Sequence, residues 1–145
     1  MKKRMLLLVG LLSMAVCAFA SDERSITVSE LPATARQFIQ THFGDVQVSR
    51  VTVDGKLLDK EYKVVFADGR KVEFARNGEW EEVEAKRADF PMSVIPQAIR
   101  SYLHQHYPDA AVKQIDRDRY GYEVKLRNGL ELEFDKNGRL LKIDD

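Results

Sequence analysis

The 145-residue chain is poor in cysteine: its one cysteine, Cys17, lies in the N-terminal segment. A form of the chain that loses this segment has no disulfide, no thiol nucleophile and no cysteine-ligated metal. An excess of positive charge is also missing, since Lys and Arg total 23 and Asp and Glu total 23. Nucleic-acid-binding domains carry a basic stripe, so we expect no nucleic-acid partner.

Long apolar runs are missing outside the first 20 residues. Those residues combine a basic start (Lys2, Lys3 and Arg4), an apolar stretch over residues 5–16, and small side chains at Ala18 and Ala20, which is the pattern of a secretory signal peptide. The apolar stretch is shorter than the ~20 residues of a membrane-spanning helix. We predict a signal peptide over residues 1–20, cleavage after Ala20, a periplasmic location and no membrane span.

The alternative for this segment is a lipoprotein signal with the lipid on Cys17. Lipidation favours a small residue immediately before the cysteine, and that residue is Val16, so the lipid anchor is the less favoured interpretation. Cleavage after Ala20 removes 20 of the 145 residues and leaves 125, enough for one compact domain. It also removes three basic residues, leaving 20 against 23 acidic ones.

Catalytic and metal-binding patterns are absent as well. No serine lies in a nucleophile-elbow pattern, and the sequence has neither a phosphate loop nor a dinucleotide fingerprint. His104 and His106 are two residues apart on a predicted helix, so their side chains point about 200° apart and do not suit one metal. We expect no catalytic residue, no cofactor and no metal, and we expect carboxylates on an open sheet to keep ordinary pKa values.

The body of the sequence contains two copies of one pattern. Ser29-Glu30-Leu31-Pro32 and Ser93-Val94-Ile95-Pro96 begin the copies, and Tyr62-Lys63-Val64 through Asn77-Gly78 matches Tyr122-Glu123-Val124 through Asn137-Gly138. Apolar residues near a period of 3.6 predict an amphipathic helix at the start of each copy. Ser29 and Ser93 are the expected N-caps, and Gly44 and Pro108 are expected to end the helices.

Four strands follow the helix in each copy. Apolar alternation slips by one residue in Val46–Val53 and again in Ala110–Ile115, which predicts a β-bulge in both first strands. A three-residue loop at Asp68-Gly69 would pair Val64 with Val72 and Tyr62 with Phe74. This register puts nearly all apolar residues on one face, so we prefer it to a two-residue turn.

These patterns predict an α+β fold: two tandem helix-plus-four-strand units form one antiparallel sheet of about eight strands, with helices on one face. The expected organisation is a signal peptide at 1–20, an N-terminal extension at 21–28, repeat 1 at 29–84, a linker at 85–92 and repeat 2 at 93–145. The second sheet face is expected to be open and charged.

One acidic stretch, one stretch of alternating charge and one aromatic residue require interpretation. The run Glu79–Glu84 could bind a cation or a basic partner, but we prefer a charged edge strand that prevents aggregation. Asp116–Arg119 is interpreted as a solvated hairpin edge. Trp80 faces outward if Val72 pairs with Val83 and lies in the core if Phe74 pairs with Trp80; we favour the core because large aromatic residues are mostly buried.

The pattern resembles the PepSY-like, β-lactamase-inhibitor-protein-like periplasmic proteins. Leu31-Pro32, Tyr62-Lys63-Val64, Asp68-Gly69, Val72-Glu73-Phe74 and Asn77–Trp80 carry the resemblance, together with their second copies. It implies a fold, a periplasmic location and a binding or inhibitory role. The β-lactamase inhibitor of this family covers its enzyme with the open face of its sheet. This chain differs from it in having no disulfide cysteines after cleavage, so the resemblance assigns no inhibitory residue here.

We therefore expect a non-enzymatic binding module that holds an unknown protein or peptide on the open sheet face and that could inhibit this partner. The predicted partner-binding residues are Lys63, Val65, Lys71, Glu73, Trp80, Lys125, Glu131 and Glu133. The other hypothesis is a sensor or carrier that holds a small ligand or a metal between sheet and linker near Phe90.

Overall fold

A computed structural model describes residues 23–145. The predicted signal peptide, its cleavage after Ala20 and the alternative lipid site at Cys17 lie outside these residues.

The described residues form nine antiparallel strands and two α-helices, and the strands neighbour each other in sequence order. The helices are α1 (Ala33–Phe43) and α2 (Gln97–His106), each preceded by a short 3₁₀ turn, at Val28–Glu30 and Met92–Val94. The strands are β1 (Arg24–Ser25), β2 (Val48–Asp54), β3 (Glu61–Phe66), β4 (Lys71–Phe74), β5 (Trp80–Glu84), β6 (Val112–Arg117), β7 (Gly121–Leu126), β8 (Glu131–Asp135) and β9 (Leu140–Asp144).

The predicted fold class is wrong and needs two corrections. Within residues 23–145 the sheet has nine strands rather than about eight, because Arg24 and Ser25 pair with Val53 and Thr52 at its edge. The helical part is also small, with two helices of 11 and 10 residues against one continuous sheet. A two-residue strand has no readable periodicity, and it forms because the exposed edge of β2 offers unpaired backbone groups.

Both helices end where the sequence predicts but begin later. α1 ends before Gly44, and α2 ends at His106, two residues before Pro108. The expected caps are wrong, since Pro32 and Pro96 occupy the N-cap positions. Ser93 lies in the preceding 3₁₀ turn, and its Oγ is 2.8 Å from Nδ1 of His42. The helices start after the prolines because proline disfavours helical backbone in the residue before it.

The predicted hairpin register and both predicted bulges are confirmed. Val64 pairs with Val72 and Tyr62 with Phe74, and the pairing between β7 and β8 follows the same rule. The β2–β3 ladder shifts between Val48 and Arg50, and the β6–β7 ladder shifts between Val112 and Gln114.

Trp80 lies in the core, where a bulge reconciles the two pairings that the sequence left as alternatives. Val72 pairs with Val83, and Phe74 pairs with Trp80, because the β4–β5 ladder shifts by one residue between them. Trp80 is 8% exposed, and its ring lies 6.0 Å from that of Phe38 on α1. Leu140 has the same position in β9, opposite Phe134.

Both helices pack on one face of the sheet. Phe38 on α1 meets Phe74 edge-on at 5.5 Å, and Tyr102 on α2 meets Phe134 in the same way at 5.6 Å. One continuous cluster of buried residues runs beneath both helices. Val83 of β5 pairs with Ile115 of β6, so the two halves of the chain share one sheet. Within residues 23–145, no helix covers its other face.

Candidate binding face

The face of the sheet opposite the helices, here called the open face, carries two rows of side chains that cross the strands. One row runs through Lys63, Glu73, Glu82, Asp116, Glu123, Glu133 and Lys142 on β3 to β9. The other runs through Arg50, Val65, Lys71, Glu84, Gln114, Lys125, Glu131 and Asp144 on β2 to β9. Five carboxylates therefore follow one another on five neighbouring strands; we call Glu73, Glu82, Asp116, Glu123 and Glu133 the acidic row.

One lysine neutralises the first part of the acidic row, Glu73 and Glu82; Asp116, Glu123 and Glu133 form the second part. The Nζ atom of Lys71 lies 3.3 Å from a carboxylate oxygen of Glu82, 3.8 Å from one of Glu84 and 4.0 Å from one of Glu73. Burial alone would lower the pKa of Lys71, but the attraction of these three carboxylates raises it. Lys71 is therefore held charged at the centre of an acidic group.

The second part of the row is less well neutralised. Lys125 lies 3.7 Å from Glu123. Among residues 23–145, no lysine or arginine nitrogen comes within 4.0 Å of the carboxylate of Asp116 or Glu133. Asp116 accepts hydrogen bonds from the Gln114 amide at 3.0 and 3.1 Å. Of these three carboxylates, only Glu123 therefore has a close cation among the described residues.

The pKa values show how crowded the row is, and they correct the expectation of ordinary values. Burial raises the pKa of Glu73 to about 7, and a hydrogen bond and charge repulsion from Glu82 act in the same direction. Burial also raises the pKa of Asp116, with a contribution from Glu82, although the Gln114 hydrogen bond opposes it. Carboxylates directly opposite each other repel, and the partly covered face strengthens that repulsion.

A groove of about 310 Å³ opens beside the second part of the row. Asp116, Glu123 and Glu133 line it together with Tyr120, Gly121 and Leu141. Arg117 lines it too, but its guanidinium is paired with Glu79 at 3.0 Å. Tyr120 and Leu141 are 67% and 64% exposed. Leu141 points to this side because the β8–β9 ladder shifts between Glu133 and Phe134, so that Leu140 faces the core instead. The groove therefore combines exposed apolar groups with carboxylates.

Seven of the eight predicted partner-binding residues lie together on the open face. They are Lys63, Val65, Lys71, Glu73, Lys125, Glu131 and Glu133. The eighth, Trp80, lies on the opposite face, where the guanidinium of Arg117 covers its ring at 4.4 Å. The placement of the seven follows from the hairpin registers, and their binding role stays a prediction.

Sequence reasoning missed the centre of the acidic row. The interpretation of Glu79–Glu84 as an edge strand is wrong, because β5 is the fifth of the nine described strands and pairs with β6. This pairing places Glu82 opposite Asp116, and Asp116 is part of the sheet face rather than of a solvated hairpin end. The alternation of Glu82 and Glu84 with buried Val83 was the signal that could have located them on the open face.

A second groove, of about 360 Å³, lies where the linker passes α2. Phe90, Met92, Leu103 and Val112 contribute apolar surface, and Arg100 and His104 stand at its rim. Within residues 23–145, no three His, Cys, Asp or Glu side chains are grouped so that they could hold a metal. No helix in that part of the chain is both long and apolar enough to span a bilayer.

Comparison with known proteins identifies the family. Residues 60–142 match a family described as "putative beta-lactamase-inhibitor-like, PepSY-like", which is more than half of the chain. The chain belongs to this family. A search of curated proteins gives no match.

Solved structures of similar proteins come from Bacteroides species. A Bacteroides thetaiotaomicron protein named a "putative calcium-regulated periplasmic protein" is 44% identical, with a TM-score of 0.81, over 86% of this chain and 98% of its own. Two Bacteroides vulgatus proteins, both described as periplasmic, are 43% and 38% identical, with TM-scores of 0.81 and 0.78. They cover 87% and 85% of this chain, and 99% of each of their own chains. The PepSY-like chain thus has close structural relatives over nearly their whole length.

Proposed function

We propose that this PepSY-like chain is a periplasmic, non-enzymatic binding module that holds a protein or peptide on the open face of its sheet. The observation that carries the proposal is the division of the sheet: both helices pack on one face, and the other face presents two rows of mostly charged side chains. A standard protein interface buries roughly 800 Å² on each partner, and a face that spans eight strands is wide enough to supply that area. The periplasmic descriptions of the relatives support the location.

Several sources of support favour binding over catalysis. The family is described as inhibitor-like, and the open face is broad and shallow rather than a cleft that excludes water. Enzyme sites usually pair perturbed acid or base groups with a concave, desolvated pocket. Inhibition of the bound partner is a consistent role, because a partner held on a broad face loses access to its own covered surface.

Photo-crosslinking tests the proposal. A crosslinking amino acid is placed at Val65 or Glu131 on the open face, or at the exposed positions Gln37 and Ser101 on the helices as matched controls. We expect one protein to be captured repeatedly from a periplasmic extract by the open-face positions and not by the helix positions. Capture from the helix positions alone would refute an open-face interface.

The groove near Phe90 supports a second candidate, a carrier for a small ligand. Its apolar lining and the cationic side chain of Arg100 suit a small apolar molecule that carries a negative group. Its volume of about 360 Å³ lies at the lower end of the usual range for ligand pockets. If this candidate is correct, a library of small carboxylates will include one that raises the melting temperature, and Arg100→Ala will abolish the effect.

A further inference from the structure

The open face carries more negative charge than the described residues neutralise. The acidic row places five carboxylates on consecutive strands, which are about 4.8 Å apart, so the row is ~19 Å long. At one end of the row, Lys71 forms ion pairs with Glu73 and Glu82. At the other end Lys125 approaches only Glu123, and Nζ of Lys142 lies 3.2 Å from Asp144 rather than within 4.0 Å of Glu133.

This arrangement costs folding free energy, since like charges directly opposite each other on a sheet are destabilising. Glu82 faces Glu73 on one side and Asp116 on the other, and Glu123 faces both Asp116 and Glu133. A cationic group bound over the row would relieve that repulsion. The cation and the carboxylates would then be shielded from water together. The charge on the face therefore selects the sign of its partner.

We infer that the partner of the open face presents a lysine- or arginine-bearing segment that lies across the acidic row, with one of its basic side chains in the groove between Tyr120 and Leu141. This inference rests on the proposed function and adds the chemistry of the partner. It excludes partners whose contact surface is acidic or uncharged.

The groove fits the two parts of a basic side chain. The aliphatic stem of a lysine or arginine packs on apolar surface while its charged head stays with polar groups. Tyr120 and Leu141 offer exposed apolar surface at the rim, and the carboxylates of Asp116, Glu123 and Glu133 lie beside them. Gly121 lines the same groove, and a Cβ atom at this position would clash with the backbone of Phe134 and Asp135.

The test measures how charged peptides bind to the purified protein. Labelled peptides of about 12 residues can cross the row in a helical or an extended conformation; one alternates lysine with serine, and two others replace lysine with glutamine or glutamate. We expect the lysine peptide to bind, the other two not to bind, and the affinity to fall as salt is raised from 0.02 to 0.15 M, because the contacts are partly exposed ion pairs.

Two variants with the same change in charge localise the binding. The row variant carries Asp116→Asn, Glu123→Gln and Glu133→Gln. The control variant carries Asp45→Asn, Asp59→Asn and Asp109→Asn, three exposed carboxylates away from the open face. We expect the row variant to bind the lysine peptide about tenfold more weakly, since partly exposed ion pairs are individually weak, and the control variant to bind it like the wild type.

Other results would overturn the inference, and they can be told apart from a failure of the proposed function. Equal loss in both variants would mean that only net charge matters, and equal binding of the glutamine peptide would remove the role of charge. Calcium binding that is tighter than peptide binding and is lost in the row variant would assign the row to a metal. If the open-face positions still crosslink a partner while lysine peptides fail to bind, the binding module stands and the cationic partner does not.

Discussion

At the residue scale, Glu73 departs most clearly from expectation. A carboxylate on an open sheet face should keep an ordinary pKa, yet burial and the facing Glu82 raise that of Glu73 to about 7. The reason is that cross-strand neighbours cover part of the side chain, and the register places another carboxylate directly opposite. The expectation of an ordinary pKa was wrong because it neglected the partial burial of the side chain and the charge of the facing carboxylate.

Glu73 should make stability depend on pH. Its folded-state pKa of about 7 exceeds the ordinary value of 4.5, so the folded protein binds this proton more tightly than the unfolded chain does. The contribution of Glu73 to the free energy of unfolding therefore falls as pH rises from about 4.5 to about 7. We expect Glu73→Gln to raise that free energy by about 1 kcal/mol at pH 8, a value reduced for solvent screening, and to change it little at pH 4.5, as measured by urea unfolding.

The Glu82→Gln variant provides the internal control for this prediction. Glu82→Gln removes the facing charge but leaves Glu73 buried, so it should give a smaller gain than Glu73→Gln. The double variant should add little to Glu73→Gln, which is the non-additivity expected of neighbours. Additive gains, or a gain for Glu73→Gln that is the same at pH 4.5 and pH 8, would show that repulsion within the pair is not the cause.

At the element scale, each helix begins against the turn of a hairpin. The β4–β5 turn approaches α1 so closely that a Cβ atom on Gly78 would lie 2.8 Å from Cβ of Pro32 and 3.1 Å from the backbone nitrogen of Ala35. The β8–β9 turn meets α2 in the same way at Gly138 and Ala98. These contacts fix the start of each helix over its own hairpin.

Alanine substitutions should separate this contact from backbone strain. Gly78 and Gly69 both have positive φ, 87° and 89°, but a Cβ atom on Gly69 meets nothing within 4 Å. We expect Gly69→Ala to cost about 1 kcal/mol, from backbone conformation alone. Gly78→Ala should cost about 1–3 kcal/mol more, because Pro32 and Ala35 must move. Thermal unfolding of both variants measures the difference, and equal losses would mean that the turn does not support α1.

The hairpin registers could be predicted from the sequence. The pairing between strands that no short turn connects could be predicted only in part. Alternation and turn glycines give the β3–β4 register, because a one-residue slip would expose Val64 and Val72. The bulge beside Trp80 was not predictable, since Glu81 and Glu82 are equally polar and either could be the extra residue. The Glu82–Asp116 pair depends on the register between β5 and β6, which no short turn fixes, and so the centre of the candidate site was missed.

At the scale of the whole molecule, joining the two halves creates the acidic row. Glu73 and Glu82 come from the first half, and Asp116, Glu123 and Glu133 come from the second. The halves meet at three cross-strand pairs between β5 and β6, and neither half alone carries more than three carboxylates of the row. The proposed division into repeats at 29–84 and 93–145 thus gives the duplication a use, because it doubles the width of the face.

A shared core predicts that both halves unfold together. Leu132 lies in the second half and Trp80, the one tryptophan of the chain, in the first, yet both belong to the same buried cluster. We expect Leu132→Ala to lower the free energy of unfolding by about 2–5 kcal/mol and to move the Trp80 fluorescence transition to lower urea together with the circular-dichroism transition. The exposed substitution Lys136→Ala should move neither. If Leu132→Ala splits the unfolding into two steps and leaves the Trp80 transition in place, the halves are independent units, and the register of the acidic row across β5 and β6 would then depend on three pairs of residues rather than on a common core.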